Sequence, residues 1–552
     1  MKTSPIQSPS PRVLLVSPRF NANSFWGFEA ACALQGARCL APPLGLVTLA
    51  AMLPQTWRLR LIDRNAQELT DADIAGADLV MTGGMLPQEP DIVALMERCR
   101  RLGVPVCLGG PAPTSTPEAF EEADFIVIGE AEGIIDEFVA AWEAGERRGR
   151  FTAQKFKADV TKTPIPRFDL LDFRNYLWVN VQFSRGCPFT CEFCDIIELY
   201  GRAPRTKTAP QMLAELDRLL ELGYRGHVDF VDDNLIGNKK AVKAFLPHLQ
   251  AWQERNGFPF KFSTEASLNL ADDPELLRLM RRCNFFALFV GIETPDEATL
   301  IQTQKKQNTR RSIAESVHRI YKAGIYVAAG FIVGFDTEEE SVADAMAACI
   351  RDTSIPTATV GLLTALPNTQ LSRRLTREGR LFGRFRQSMT ESGDMCTAGL
   401  NFTTLRPRRE IMQDYRDVVA ATYSPDAYFA RVRRLGRLLD RPTLRPRRIH
   451  WQTVRRDTAA FLRLVWSLHV RHPELARHFW RTLYDCLRHR PKSYEAVLRN
   501  VAHFVHLYPF GQYVVRTIDA RIAELDAGQW VEPEALPAAP EACAARPVAA
   551  VA

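Results

Sequence analysis

The chain has 552 residues, of which 46% are hydrophobic and 24% charged. That balance is globular and excludes a mainly disordered, collagenous or coiled-coil protein, and the length is that of several domains. No run of about 18 apolar residues occurs, so no spanning helix is expected. The opening MKTSPIQSPSPR lacks the apolar core of a secretory signal, which points to a cytoplasmic protein. The net charge of +6 is unevenly placed: residues 401–500 carry 22 Lys and Arg against 9 Asp and Glu, on an otherwise mildly acidic chain.

Residues 1–11 are rich in Ser and Pro and read as disordered. Short apolar runs then alternate with helix-like stretches, at Val13–Ser17, Leu59–Asp63, Leu79–Thr82, Val104–Leu108 and Phe125–Ile128. Several end in glycine: Gly83 and Gly84, Gly109 and Gly110, and Gly129. Buried strands of this kind predict a doubly wound, flavodoxin-like α/β domain over 12–145, with any ligand outside the carboxyl ends of its strands. Residues 146–175, with Pro164 and Pro166, read as a linker. A second α/β series over 176–405 starts near Val179 and continues at His227–Val231, Phe260–Thr264, Ala287–Gly291, Tyr326–Val333 and Thr357–Leu363. Six strands in about 190 residues are too few for a complete eight-fold barrel and predict a partial (β/α)6 barrel. From residue 406 the strand pattern stops. Arg408–Tyr423, Pro425–Leu439, Trp451–His469, Pro473–His489 and Tyr494–Val505 read as helices of a domain over 406–530, and the Ala/Pro-rich 531–552 as a disordered tail.

Of the 12 cysteines, nine are scattered, while Cys187, Cys191 and Cys194 crowd into Ser184-Arg-Gly-Cys-Pro-Phe-Thr-Cys-Glu-Phe-Cys. Three thiolates at this spacing in a reducing compartment argue for a metal site. A structural zinc takes four protein ligands, and no fourth Cys or His is near in sequence. A [4Fe–4S] cluster held by three thiolates keeps one iron open for a small molecule. The bland alternatives are three unliganded thiols or a zinc site.

This segment resembles the radical S-adenosylmethionine superfamily, in the cysteine spacing and in Phe193 before the third cysteine. The resemblance implies that the open iron chelates S-adenosylmethionine, that an electron from the cluster cleaves it to a deoxyadenosyl radical, and that Phe193 packs beside the adenine. It places Asp232, Asp233 and Asn234 near the methionine amino group, in a form that departs from the common Gly-Gly-Glu. Glu265, Glu293 and Gly334, at later strand ends, become further S-adenosylmethionine contacts. Read without it, each of these is equally a cap or turn residue.

Residues 12–145 followed by this core are similar to cobalamin-binding members of the superfamily, through Pro42-Pro43-Leu44-Gly45, Gly83-Gly84, Gly109-Gly110-Pro111 and Gly129-Glu130. The runs CEFCDIIELYGRAPRTKT and VDDNLIGNKK are similar to the subfamily that includes the hopanoid C-2 methylase, which carries an extra helical domain (DUF4070-like). The resemblance implies cobalamin contacts at Gly83, Gly84, Gln88, Gly109, Gly110, Gly129 and Glu130. No histidine precedes His227, so the first domain has none to offer cobalt, and the loop Met85–Gln88 is the expected source of whatever faces it.

The function expected is methylation of an unactivated carbon in a small-molecule or lipid, hopanoid-like substrate, with a flavodoxin or ferredoxin as reductant. The alternative is oxidation, cyclisation or rearrangement with the same cofactors and no methyl transfer. A third class, a non-catalytic cobalamin sensor, has no use for the three cysteines. The residues that do the chemistry on the substrate are unknown at this stage. The basic helices pair arginines with Trp451, Phe461, Trp466, Phe479, Trp480 and Tyr484. They read as a solvated face, as a surface touching the inner face of an anionic membrane, or, least well, as a nucleic-acid site, which is not expected for want of a recognition motif.

Overall fold

The computed structural model describes residues 10–21, 24, 27–383, 396–440 and 451–538. The disorder expected for 1–9 and for 539–552 lies outside them, as does Cys543.

The first sheet has six parallel strands: β1 (Arg12–Ser17), β2 (Arg58–Asp63), β3 (Leu79–Gly83), β4 (Val106–Gly109), β5 (Phe125–Ile128) and β6 (Gly149–Thr152), in the order β2-β1-β3-β4-β5-β6. The first five are those expected. The sixth lies in the segment expected to be linker. It is short and half-exposed, with the pattern GRFT, so it carries no apolar run. It pairs with β5 from Phe125↔Gly149 to Ile128↔Thr152, and Phe151 stacks on Phe125. The strand order reverses between β1 and β3, which puts the ligand crevice of such sheets outside the carboxyl ends of β1 and β3.

The second unit begins with β7 (Val179–Val181), then a small antiparallel pair, β8 (Ser184–Arg185) and β9 (Arg205–Thr206). It continues with β10 (Gly226–Phe230), β11 (Phe260–Glu265), β12 (Phe285–Glu293), β13 (Tyr326–Val333) and β14 (Ala358–Leu362). The six long strands form one parallel sheet, β14-β13-β12-β11-β10-β7, as the partial barrel requires. Their outward residues, such as Val228, Phe230, Phe262, Val290, Ala329 and Val360, are fully buried under the crossover helices. Their inward residues Asn180, Asp229, Ser263, Phe289, Gly330 and Thr359 keep accessible surface, on the four central strands as well as on the two at the edges. A packed barrel would bury both sets, so the inner face lines an open lumen.

Helices close the remaining sides. Besides α1 (Glu29–Gln35), which follows β1, the carboxyl-terminal domain comprises α2 (Arg408–Tyr423), α3 (Pro425–Leu438), α4 (Trp451–Val470), α5 (Pro473–His489) and α6 (Tyr494–Asp526). The last runs 21 residues beyond Val505, through Pro509. A proline inside a helix removes a backbone bond and ordinarily ends it. Here Phe510, Val514, Ile518 and Ile522 extend the buried stripe past it. Tyr415 and Tyr423 of α2 donate to the Val360 and Ala358 carbonyls of β14, which satisfies the free edge of the sheet. Residues 531–538, expected in a tail, are partly docked: Phe382 bridges Ala535, and Leu536 N–H donates to the Leu381 carbonyl at 2.7 Å.

The ring of Phe504 on α6 is wholly buried and stacks on Tyr428 of α3 at 4.0 Å. Phe504→Ala therefore removes about 3–5 kcal/mol of core packing. The expected result is a lower melting temperature of the carboxyl-terminal transition in calorimetry, with the far-ultraviolet spectrum at 20 °C unchanged.

A candidate cofactor site between two domains

The three cysteines stand on the loop between β8 and the short helix Ile196–Leu199. Gly186, at φ +95°, lets this loop turn tightly: a Cβ there would sit 2.8 Å from the Gly201 carbonyl oxygen. Asp232, just after β10, accepts from Phe183 N–H at 3.1 Å, from Ser184 N–H and from Ser184 Oγ at 2.5 Å, and Asp233 accepts from Gly186 N–H at 3.0 Å. Both carboxylates thus brace the base of the cysteine loop. Asn234 points at Cys187 Sγ (3.9 Å) and at Ser267 Oγ (3.1 Å).

Two residues that the sequence reading passed over complete the surroundings. Gln307 Nε2 lies 3.6 Å from Cys191 Sγ, while its buried Oε1 has no partner. Lys305 pairs with Glu293 at 2.6 Å and stands 5.8 Å over the Phe193 ring. Burial works against the Lys305 ammonium, but Glu293 and the thiols of Cys191 and Cys194 outweigh it and hold its pKa above the usual lysine range. Both residues lie in a Lys/Gln run that reads as surface in sequence. Glu293 is left-handed, φ +68°, at a register shift in β12. Such strain in a non-glycine residue marks sites where the surroundings over-determine the backbone. Gly334 (φ +108°) ends β13, and its N–H donates to Glu338 at 2.8 Å.

The donor set suits an iron–sulfur cluster. Among the described residues no three His, Cys, Asp or Glu side chains converge tightly enough for a single ion, whereas a cluster takes each thiolate on a different iron. Burial pushes the thiols of Cys187 and Cys194 up. A cationic metal centre would reverse that.

Above the first sheet the fit to a flat ligand rests on missing side chains. A Cβ on Gly83 would lie 2.4 Å from the Gly109 carbonyl oxygen, and Gly110 (φ +90°) and Gly129 (φ +91°) sit at the ends of β4 and β5. Only glycine permits this approach. The structure corrects one expectation. Gln88 does not face the crevice: its Nε2 donates to the Pro18 carbonyl at 2.6 Å and its Oε1 accepts from Met85 N–H. It pins the loop, and the exposed side chain there is Met85, at 40%.

Glu130 likewise does more than border that crevice. It bonds Arg185 at 3.2 Å and Arg205 at 2.8 Å, and Glu132 bonds Arg185 at 2.7 Å. Arg185 is two residues before Cys187. Burial opposes its charge, but Glu132 and Glu130 outweigh it and raise its pKa. The end of β5 is thereby locked to the root of the cysteine loop.

The lumen below is polar on one wall and small on the other. Register aligns Asn180, Asp229, Ser263 and Ala287 in one layer, and Gly291, Gly330 and Thr359 in a higher one. Ser263 donates to Asp229, and His227 Nε2 lies 2.5 Å from Ser263 Oγ. Its Nδ1 and Asn180 Oδ1 are buried without partners. Lys261, Glu495 and Arg499 of α6 form the floor, with Lys261–Glu495 at 2.5 Å and Arg499 4.5 Å over Phe286. Burial pushes the Asp229 pKa up to about 6, whereas Glu265, at the end of β11, is exposed.

The comparisons with known proteins agree with this geometry. Residues 37–139 match the B12 binding domain, 181–349 the radical SAM superfamily, and 369–520 a domain of unknown function, DUF4070. The fold is that of a cobalamin-dependent radical enzyme. The chain is similar, at 15% identity and a TM-score of 0.56 over 95% of its length and 82% of the other, to the cobalamin-dependent S-adenosylmethionine radical enzyme OxsB. It is 43% identical over 93% of its length and 94% of the relative to the "uncharacterized methyltransferase sll1242" of Synechocystis. It is 39% identical over 76% of its length and 79% of the relative to the hopanoid C-2 methylase of Rhodopseudomonas palustris. The chain belongs to the B12-binding radical S-adenosylmethionine family with a DUF4070 domain, and that membership implies a [4Fe–4S] cluster, S-adenosylmethionine and cobalamin as cofactors.

Proposed function

We propose that the protein is a radical S-adenosylmethionine C-methyltransferase acting on an unactivated carbon of a largely apolar, hopanoid-like lipid. The observation that carries this reading is the lock between the glycine crevice of the first domain and the cysteine loop of the second, above a lumen that opens between them. Bound together, the cofactors supply an electron, a hydrogen-abstracting radical and a transferable methyl group.

In this reading Cys187, Cys191 and Cys194 hold the cluster, and Gln307 and Asn234 supply N–H groups toward its sulfur ligands. Asp233, Glu265 and the Glu293–Lys305 pair meet the methionine and ribose end of S-adenosylmethionine, with Phe193 and Gly334 at the adenine. Asp232 positions the loop. Gly83, Gly84, Gly109, Gly110 and Gly129 would admit the corrin, and the exposed Met85 would border it. The small wall of β12–β14 takes the apolar body of the substrate and excludes water. His227 and Asn180 offer unused hydrogen-bonding atoms to a polar substituent. A low-potential flavodoxin or ferredoxin as electron donor, and peripheral contact with the inner face of a membrane, belong to the same reading.

The test is anaerobic reconstitution with iron, sulfide and cobalamin, then S-adenosylmethionine, a reductant and hopanoid lipid. Methyl transfer yields 5′-deoxyadenosine and S-adenosylhomocysteine together with a methylated lipid. 5′-Deoxyadenosine without S-adenosylhomocysteine, and a dehydrogenated or cyclised product, would favour chemistry without methyl transfer. Cys191→Ala is expected to lower 5′-deoxyadenosine release more than about a thousand-fold while corrinoid stays bound, because the electron source is lost outright.

A further inference from the structure

Large apolar side chains exposed to solvent are unevenly distributed over this protein. Of the 16 found among the described residues, nine fall between Trp451 and Tyr494, on or beside α4 and α5. Scattered exposed leucines need no explanation, but a contiguous patch does.

The patch is contiguous by helical geometry. At 3.6 residues per turn, Trp451, Leu462 and Trp466 of α4 fall on one stripe, and Trp480, Tyr484 and Leu487 of α5 on another. The opposite faces carry Leu464 and Leu468, and Leu475, Phe479 and Cys486, all buried against the core. The two exposed stripes adjoin, because His469, on the α4 stripe, accepts at Nε2 from Trp480 Nε1–H at 3.1 Å. Trp466 is 52% exposed and Tyr484 66%. Neither helix is long and apolar enough to cross a membrane.

The charges beside the patch are basic. Residues 451–490 hold eight arginines against Asp457, Glu474 and Asp485. Arg477, Arg481 and Arg488 fall on the row next to Trp480 and Tyr484, and none has an ion pair among the described residues. Arg471 lies 5.1 Å over the Trp466 ring. Asp485 is turned away into pairs with Arg437 and His489. A second copy of the chain would set arginines against arginines across a two-fold axis. An anionic bilayer meets both features: tryptophans settle at the headgroup level and arginines bind the lipid phosphates.

We infer that α4 and α5 form a docking face for an anionic lipid bilayer, on which the two helices lie flat with Leu462, Trp466, Trp480 and Leu487 in the headgroup boundary. This deepens the lipid-methylating reading by naming the surface from which the substrate is drawn. Its own support is the patch and its charge, independent of the reaction.

The test is co-sedimentation of the reconstituted full-length protein with vesicles of equal parts phosphatidylglycerol and phosphatidylcholine, and with phosphatidylcholine alone. Binding is expected to the mixed vesicles, weakening between 0.1 and 0.5 M salt as surface charge is screened. Arg477→Glu/Arg481→Glu should weaken it at least about 30-fold, from roughly five-fold per basic residue. Trp466→Ser/Trp480→Ser should do the same. Both variants should keep wild-type melting temperature and wild-type release of 5′-deoxyadenosine in detergent, since the residues are on the outer surface. The inference is overturned if the wild type stays in the supernatant with mixed vesicles, if it binds phosphatidylcholine equally well, or if the tryptophan pair instead converts a dimer to a monomer. Vesicle binding by a protein that methylates no lipid would keep the docking face and remove the substrate class.

Discussion

The buried knot of Glu130 and Glu132 with Arg185 and Arg205 ties the two α/β units together. It joins the end of a strand in the corrinoid-type domain to the residue two positions before the first cysteine. Breaking one partner of a buried pair leaves a stranded charge and costs about 3–5 kcal/mol. The relative placement of the glycine crevice and the cysteine loop is thus fixed by charge, not only by chain connectivity. Everything the proposed chemistry needs, an electron source, a radical and a methyl donor around one substrate carbon, depends on that placement.

A second constraint is the small wall of the lumen. Gly291, Gly330 and Gly361 face inward on adjacent strands, so the barrel stays open where larger side chains would fill it. The helical domain makes that opening tolerable. Two tyrosines of α2 satisfy the sheet edge, and α6 floors the lumen with Glu495 and Arg499. The domain of unknown function therefore closes one side of the barrel lumen, and its outer helices present the basic aromatic face.

Much of this was legible in the sequence, for physical reasons. Buried parallel strands are near-continuous apolar runs, so eleven of the twelve strands of the two six-stranded sheets could be found from pattern, while the short β8–β9 pair could not. The cysteine triad stands out because its spacing has few other uses. What escaped was carried by contacts between distant residues. β6 has no apolar run and forms only because β5 offers an edge. Arg185 and Glu130 are 55 positions apart, and nothing local joins them. Lys305 and Gln307 sit in a polar run that reads as surface until the fold turns it onto the cysteine loop. Gln88, expected to face the ligand, is turned inward because the Pro18 carbonyl needs a donor. Pro509 reads as a helix end, and only the buried stripe beyond it shows otherwise.

The most direct test of the proposal that the charged knot sets the spacing of the two cofactor sites is electron paramagnetic resonance of the reconstituted protein, with the corrinoid as cobalt(II) and the cluster reduced. The account expects measurable spin–spin coupling between the two centres in the wild type, lost or broadened in Glu130→Gln/Glu132→Gln although both cofactors remain bound. Uncoupled signals in the wild type, or coupling unchanged in the variant, would contradict it.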